Sequence, residues 1–220
     1  MSIQIQSNVL RHVLQKAYFI NGTAYAGKST MVKLLARKHE GICCGENYHD
    51  CLMDAVDVEH QPNLCYFQTM RDWQAFVNRT PEEYSAWIAG CSREAEDLEL
   101  CRLIQLAESG KKIFVDTNIS LKTLREMSDY HRVAIMLAPP QVSVERFFQR
   151  ADSEKQFILE QIRQAENPEK TMENYRACLA AVNSLENYQA FAESGFFTLA
   201  RDDTRTQEQT LALLEEHFGL

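Results

Sequence analysis

Short apolar runs alternate with longer stretches of helical periodicity along this chain. Val9, Leu10, Val13 and Leu14 fall at helical spacing and predict a short amphipathic helix, a packing element ahead of the first strand. Residues 16–21, with Tyr18, Phe19 and Ile20 at their centre, read as a buried strand, and residues 30–38 return to helical spacing. Residues 41–44 form a candidate second strand stopped by Gly45. The stretch that follows is less regular. Its pattern allows a helix over 50–58, an irregular link over 63–69 and a short helix over 68–77 with Trp73, Phe76 and Val77 on one side.

A clear helix start comes next. Thr80 supplies a capping hydroxyl, Pro81 occupies the first helical position and Glu83 the third. This helix is expected to reach about residue 109, to end at Gly110 and to break near Gly90. Residues 112–116 read as a buried strand ending in a carboxylate, 120–127 as a short helix, and 132–138 as a strand closed by Pro139 and Pro140. Residues 142–193 read as helical with breaks near 151–152 and 167–168, followed by a strand over 196–200 and a helix over 206–218. Five short apolar strands separated by helices predict an α/β fold, a three-layer α/β/α arrangement around a parallel sheet. With no internal repeat or flexible linker in the pattern, residues 1–220 read as a single domain.

Composition narrows the class. A chain of 220 residues with 45% hydrophobic content buries a substantial core. A formal net charge of −8 argues against a nucleic-acid polymer as partner, while leaving room for a local basic pocket that takes a small nucleotide. No run is long enough to cross a membrane, so no membrane partner is expected. Residues 1–16 carry Gln4, Gln6, Ser7 and Asn8 and lack a secretory core, which makes the cytoplasm the expected compartment. The seven cysteines fit no disulfide framework. Cys43, Cys44, His49, Cys51, His60 and Cys65 cluster without the C-x-x-C pairing of a zinc site, and reduced thiols account for them better.

The most specific chemistry lies between the first strand and its helix. Gly22-Thr23-Ala24-Tyr25-Ala26-Gly27-Lys28-Ser29 matches the phosphate-cradling pattern G-x-x-x-x-G-K-[ST] in full, and Thr30 continues it into the helix. Gly22 and Gly27 let the backbone curl so that N–H groups point inward, and the helix start adds its positive dipole end. Lys28 is placed to reach outer phosphates and the Ser29 hydroxyl to hold Mg²⁺. Asp116, at the end of its strand, is the candidate partner for that metal or for an acceptor proton.

On these residues the chain resembles the P-loop NTPase superfamily, and within it small-molecule kinases of the nucleoside monophosphate kinase and shikimate kinase type. The resemblance implies strand order 2-3-1-4-5, ATP and Mg²⁺ as cofactors, a helical lid over 150–176 and an acceptor-binding region over 46–109. Residues 144–150 resemble the helix after the fourth strand in that family. There Arg146 matches the arginine that lies against the adenine and Arg150 the one that contacts phosphates. Arg150, Asp152 and Arg163 resemble that family's lid, with Lys170 and Arg176 as lesser candidates. Residues 198–204, including Arg201, resemble the loop that borders the base. Glu46, Tyr48, His49 and Asp50 follow the second strand, where those kinases place an acceptor carboxylate, and Arg71 and Arg79 fall in the region that caps the acceptor.

The reading that results is a phosphotransferase moving the γ-phosphoryl group of ATP to a small-molecule acceptor, as a monomer or homodimer. Lys28, Asp116, Arg150 and Arg163 would act on the transferred group. The rival reading is a nucleotide-dependent regulatory ATPase or switch without a small-molecule acceptor. Neither the N-K-x-D tetrad that selects guanine nor the basic face of a nucleic-acid motor is present.

Overall fold

A computed structural model of the chain describes residues 5–149, 153–201 and 204–220. Helix α1 (Ser7–Val13) leads into β1 (Ala17–Gly22), which turns through residues 23–27 into α2 (Lys28–Lys38) and returns as β2 (Ile42–Cys44). A 3-10 turn (Asp50–Ala55), α3 (Tyr66–Thr69), α4 (Trp73–Val77) and the long α5 (Pro81–Ala107) precede β3 (Ile113–Asp116). Next come α6 (Leu121–Met127), β4 (Val133–Leu137), α7 (Pro140–Arg146), α8 (Ser153–Arg163), α9 (Pro168–Val182) and α10 (Leu185–Ala192). The last two elements are β5 (Phe197–Ala200) and α11 (Gln207–Phe218).

All four strand pairings are parallel and the order is β2-β3-β1-β4-β5, the expected one. Every residue of β3 and β4 is buried, as strands covered on both faces must be. Alternate residues serve opposite faces. Phe19, Ile113, Val115 and Ile135 join Leu10, Leu14, Leu103 and Leu124 in one core, while Ile20, Phe114 and Ala134 join Val32, Leu35, Leu214 and Phe218 in the other. Helices therefore cover both sides of the sheet. The order reverses at β1, whose neighbours β3 and β4 have connections running to opposite edges, and the register sets Ile20 beside Asp116 and Gly22 beside Met136. Parallel sheets carry their ligand crevice beyond the strand ends at such a reversal.

A third core lies away from the sheet. Phe76, Val77, Tyr84, Ile162, Tyr175 and Leu179 bring α4, α5, α8 and α9 together, so the expected acceptor region and the expected lid share one apolar cluster.

Three local expectations need correction. First, α5 starts at its Thr80–Glu83 capping box as expected but runs unbroken through Gly90. A Cβ at Gly90 would lie 2.4 Å from Asn63 Cγ, so this glycine admits the Asn63 side chain instead of ending a helix. Second, the helix expected over residues 144–150 stops at Arg146. A 3-10 turn over Phe147–Gln149 follows, because Phe147 and Phe148 turn onto the Tyr175 ring. Arg146 is therefore the last residue of α7, and Arg150, Ala151 and Asp152 lie outside the described residues. Third, residues 168–193 divide into α9 and α10, with Ser184 capping the second by accepting from Asn187 N at 3.2 Å.

Gly22 has φ +127, and a Cβ there would lie 2.0 Å from the Met136 carbonyl oxygen. Gly45 has no atom within 4 Å of such a Cβ. Gly22→Ala is expected to lower stability by about 3 kcal/mol or more, and Gly45→Ala by less than about 1 kcal/mol. Thermal and urea denaturation of the two variants side by side checks the difference.

Candidate active site

The loop between β1 and α2 is fixed from both ends. Asn21, 4% exposed, donates to Ile119 O at 2.8 Å and accepts from Gly22 N at 2.6 Å. Thr23 N donates to Met136 O at 3.1 Å, and the Thr23 hydroxyl donates to Ala138 O at 3.2 Å while accepting from Ala138 N at 2.7 Å. Both strands that flank the crevice thus hold the loop's first turn. Positive φ at Tyr25 (63°) and Gly27 (93°) gives the alternation of backbone conformations that forms an anion-binding concavity. No side chain caps α2 and no acidic residue lies in its first turn, and while Thr30 N and Met31 N donate to Gly27 O, the amides of Lys28 and Ser29 face an external anion without a capping side chain.

Lys28 folds back across this concavity. Its Nζ donates to Thr23 O at 3.1 Å and Gly22 O at 3.5 Å, and lies 3.9 Å from Asp116 Oδ1. Ser29 Oγ donates to Asp116 Oδ2 at 2.5 Å. Asp116 is 5% exposed, and burial raises its carboxyl above the usual range. Lys28 and Ser29 oppose that rise, and Glu46 adds to it. Lysine, hydroxyl and carboxylate therefore converge although 87 residues separate Ser29 from Asp116.

A second buried network lies behind Asp116. Glu99 on α5 is 1% exposed and accepts from Thr117 Oγ1 at 2.5 Å and from Tyr48 OH at 2.9 Å. Burial raises the Glu99 carboxyl, while those two hydroxyls oppose the shift. His49 is buried with Nδ1 3.8 Å from Glu99 Oε1, and burial lowers its pKa, which favours the neutral ring. Tyr48 and His49, read from sequence as acceptor ligands, thus turn inward to Glu99. Sequence reasoning missed Glu99 itself. Its signal is a carboxylate inside the buried α5 series Ala95, Glu99, Leu103, at spacing i, i+4, i+8.

Three clefts adjoin the loop. One of about 250 Å³ is bounded by Gly27, Thr30, Met136, Leu199, Arg201 and Thr210. Arg201 lies beside the loop, where Nη1 donates to Tyr25 O at 3.0 Å. A central cleft of about 320 Å³ contains Lys28, Ser29, Glu46 and Asp116, with Lys155 and Phe147 opposite. Lys155, a cation of the α8 segment, was not singled out in the sequence. A third cleft of about 500 Å³ continues from Lys28 and Glu46 to α5, the residues after β3 and the α9–α10 junction.

The remaining expectations diverge. Arg146 is exposed, and none of the three cleft walls includes it. Arg163 is 65% exposed, pairs with Glu160 at 3.7 Å and lines a separate groove with Arg176. Asp50 and Arg71 are exposed and also absent from the three walls. The Arg79 guanidinium lies 4.0 Å from the Tyr66 ring centroid and 5.4 Å from that of Trp87, a cation–π stack in the aromatic cluster. Where these side chains lie is decided by tertiary packing, which spacing alone does not reveal. No protein-family model, curated protein or solved structure gives a match to this chain.

The raised Asp116 carboxyl makes a signed prediction. The folded chain holds this proton more tightly than the unfolded chain, so this group's contribution to stability falls as pH rises through the carboxylate range. Asp116→Asn is expected to melt at or above the wild-type temperature at about pH 7.5, with the gap closing below about pH 4. Calorimetry across that range checks it; a variant that melts well below wild type at neutral pH contradicts it.

Proposed function

We propose that this protein is an ATP-dependent phosphotransferase of the P-loop kinase type, moving the γ-phosphoryl group to a small acceptor. The observation that carries this reading is the convergence of Lys28, Ser29 and the buried Asp116 at an uncapped helix N-terminus. Such a site suits phosphates, and its hydroxyl and carboxylate oxygens suit Mg²⁺. Ser29 and Asp116 are the residues that would hold the metal. Bound Mg²⁺ supplies charge neutralisation at the phosphate oxygens.

The chain's own residues have separable tasks. The first cleft takes the base, between Leu199 and the Arg201 side of the loop. Lys28 exchanges its contacts with Gly22 O and Thr23 O for outer phosphate oxygens. Lys155, across the central cleft, is the described cation best placed to stabilise charge on the transferred group, a task assigned from sequence to Arg150 and Arg163. Asp116 or Glu46 orients the acceptor hydroxyl. The third cleft beyond Lys28 favours an acceptor-using enzyme over a switch that only hydrolyses ATP, since it gives a second small molecule room beside the loop.

Lys28→Ala is expected to reduce MgATP-dependent turnover at least about 100-fold while leaving the melting temperature of the ligand-free protein within a few degrees. MgATP should raise the wild-type melting temperature and leave that of Lys28→Ala nearly unmoved. Absence of any shift with any nucleoside triphosphate would overturn the proposal.

A further inference from the structure

The third cleft shows what kind of acceptor fits. It meets the central cleft along Lys28, Glu46, Ile88 and Asn183, so an occupant there lies next to the place where the outer phosphate would be held. Its wall carries little charge. Among the described residues its only charged side chains are Lys28 and Glu46. Lys28 faces the donor phosphates, which leaves a carboxylate as the charge facing the acceptor. A phosphate or carboxylate on the acceptor would meet Glu46, with Asp116 close behind, and no arginine in the wall to pair with. Burying an anion without a cation is costly, and sites that bind anions through side chains use arginine or lysine.

Several other polar groups in this wall are neutral and have hydrogen-bonding capacity to spare. Ser85 Oγ is enclosed and has no hydrogen-bond partner among the described residues. The Asn118 side chain makes no hydrogen bond among them either, while Asn183 and Asn187 each use an amide N–H on a carbonyl, of Leu179 at 2.9 Å and Val182 at 2.8 Å. Their Oδ1 atoms remain able to accept. A wall offering both donors and acceptors without net charge complements hydroxyl groups, each of which donates once and accepts twice. Between these groups stand Ile88, Ile119, Val182 and Phe191, suited to the C–H faces of a ring.

From this geometry we infer that the acceptor is an uncharged, hydroxyl-bearing ring compound, a free sugar or cyclic polyol or the sugar of a nucleoside, bound between α5 and the α9–α10 junction. The inference rests on the phosphotransferase reading above. An acceptor hydroxyl oxygen forms a bond to the γ-phosphorus, and the bond from that phosphorus to the β–γ bridging oxygen breaks. The electron pair leaves with ADP, and the hydroxyl proton passes to Glu46 and then to solvent. The products are a phosphate monoester, ADP and one proton.

The test measures ADP release from MgATP by the full chain with three acceptor groups: free monosaccharides and cyclic polyols, nucleosides, and the anionic counterparts of both (sugar phosphates, hydroxy acids and nucleoside monophosphates). A neutral compound is expected to stimulate release at least about tenfold over acceptor-free hydrolysis and to exceed its anionic counterpart about thirtyfold in kcat/KM. The first two groups distinguish a free ring from a nucleoside. Asn118→Ala is expected to raise KM for the acceptor about tenfold with less than a twofold change in KM for ATP. Its side chain is exposed and unbonded, so the fold should tolerate the change. Preferential turnover of an anionic acceptor overturns the inference, and so does failure of every neutral acceptor while MgATP still shifts the melting temperature. Both outcomes leave the phosphotransferase reading standing. Absence of any ATP-induced shift defeats both.

Discussion

The short hydrogen bond from Ser29 Oγ to Asp116 Oδ2 is the contact on which the rest of the site depends. It joins the first turn of α2 to the end of β3, two elements that meet because β3 is inserted in the sheet between β1 and β2, the strands that α2 connects. Burial disfavours the charged form of Asp116, while Ser29 and Lys28 favour it. A buried carboxylate held by a hydroxyl and an ammonium is poorly compensated on its own, because water is excluded and the Lys28 contact is long at 3.9 Å. Stability alone gives little reason for this arrangement. On the proposed reading an incoming cation would give a better one, since it would find its oxygen ligands already desolvated and fixed.

The same logic extends one layer back. Thr117 follows Asp116 directly and gives its hydroxyl to Glu99, so the end of β3 is tied to α5 by a second buried carboxylate. Tyr48 reaches the same Glu99 oxygen from the segment after β2. Three separate parts of the chain, the end of β3, α5 and the segment after β2, therefore meet at Glu99 directly behind Asp116. Two buried carboxylates, both with raised carboxyl pKa values, lie one behind the other at the strand end. Their cost in stability is spread over the large apolar cores on either side of the sheet.

What the sequence made legible follows from how locally each feature is determined. The strands were readable because parallel strands buried on both faces must be continuously apolar, as residues 133–137 are. The start of α5 was readable because its capping box lies within four residues. The glycine loop was readable because strand, loop and helix are contiguous. The Glu99 network was not, because its partners come from residues 48 and 117 and no local rule couples them. The inward turn of Tyr48 and His49 has the same origin. For Arg146, the residues that follow matter: Phe147 and Phe148 leave the α-helix in a 3-10 turn and pack against Tyr175, a long-range contact that spacing does not show. Arg79, placed by the sequence only in the region that caps the acceptor, packs against the rings of Tyr66 and Trp87.

The shared core of the cap and lid segments constrains how such a site closes. Trp73 of α4 meets Phe157 of α8 with ring centroids 4.8 Å apart, the Tyr84 and Tyr175 hydroxyls lie 3.3 Å apart, and Gln74 Nε2 donates to Gln161 O at 2.9 Å. Swinging α8 out alone would expose several large aromatic rings, at about 25 cal/mol for each Å² of apolar surface uncovered. A hinged lid moving over a fixed acceptor region is therefore unfavourable, and α4, α8 and α9 are expected to move as one body. Helix α5 couples that body to the chemistry. It contributes Tyr84 to the aromatic core and the central cleft, Ser85 and Ile88 to the third cleft, and Glu99 to the anchor of β3. An occupant of the third cleft touches α5 and the end of α9 together, and so bears on the same body that carries Lys155 toward the loop. On the proposed phosphotransferase reading, exclusion of water from the transferred group would in this way be tied to the presence of the second substrate, which would limit hydrolysis when that substrate is absent.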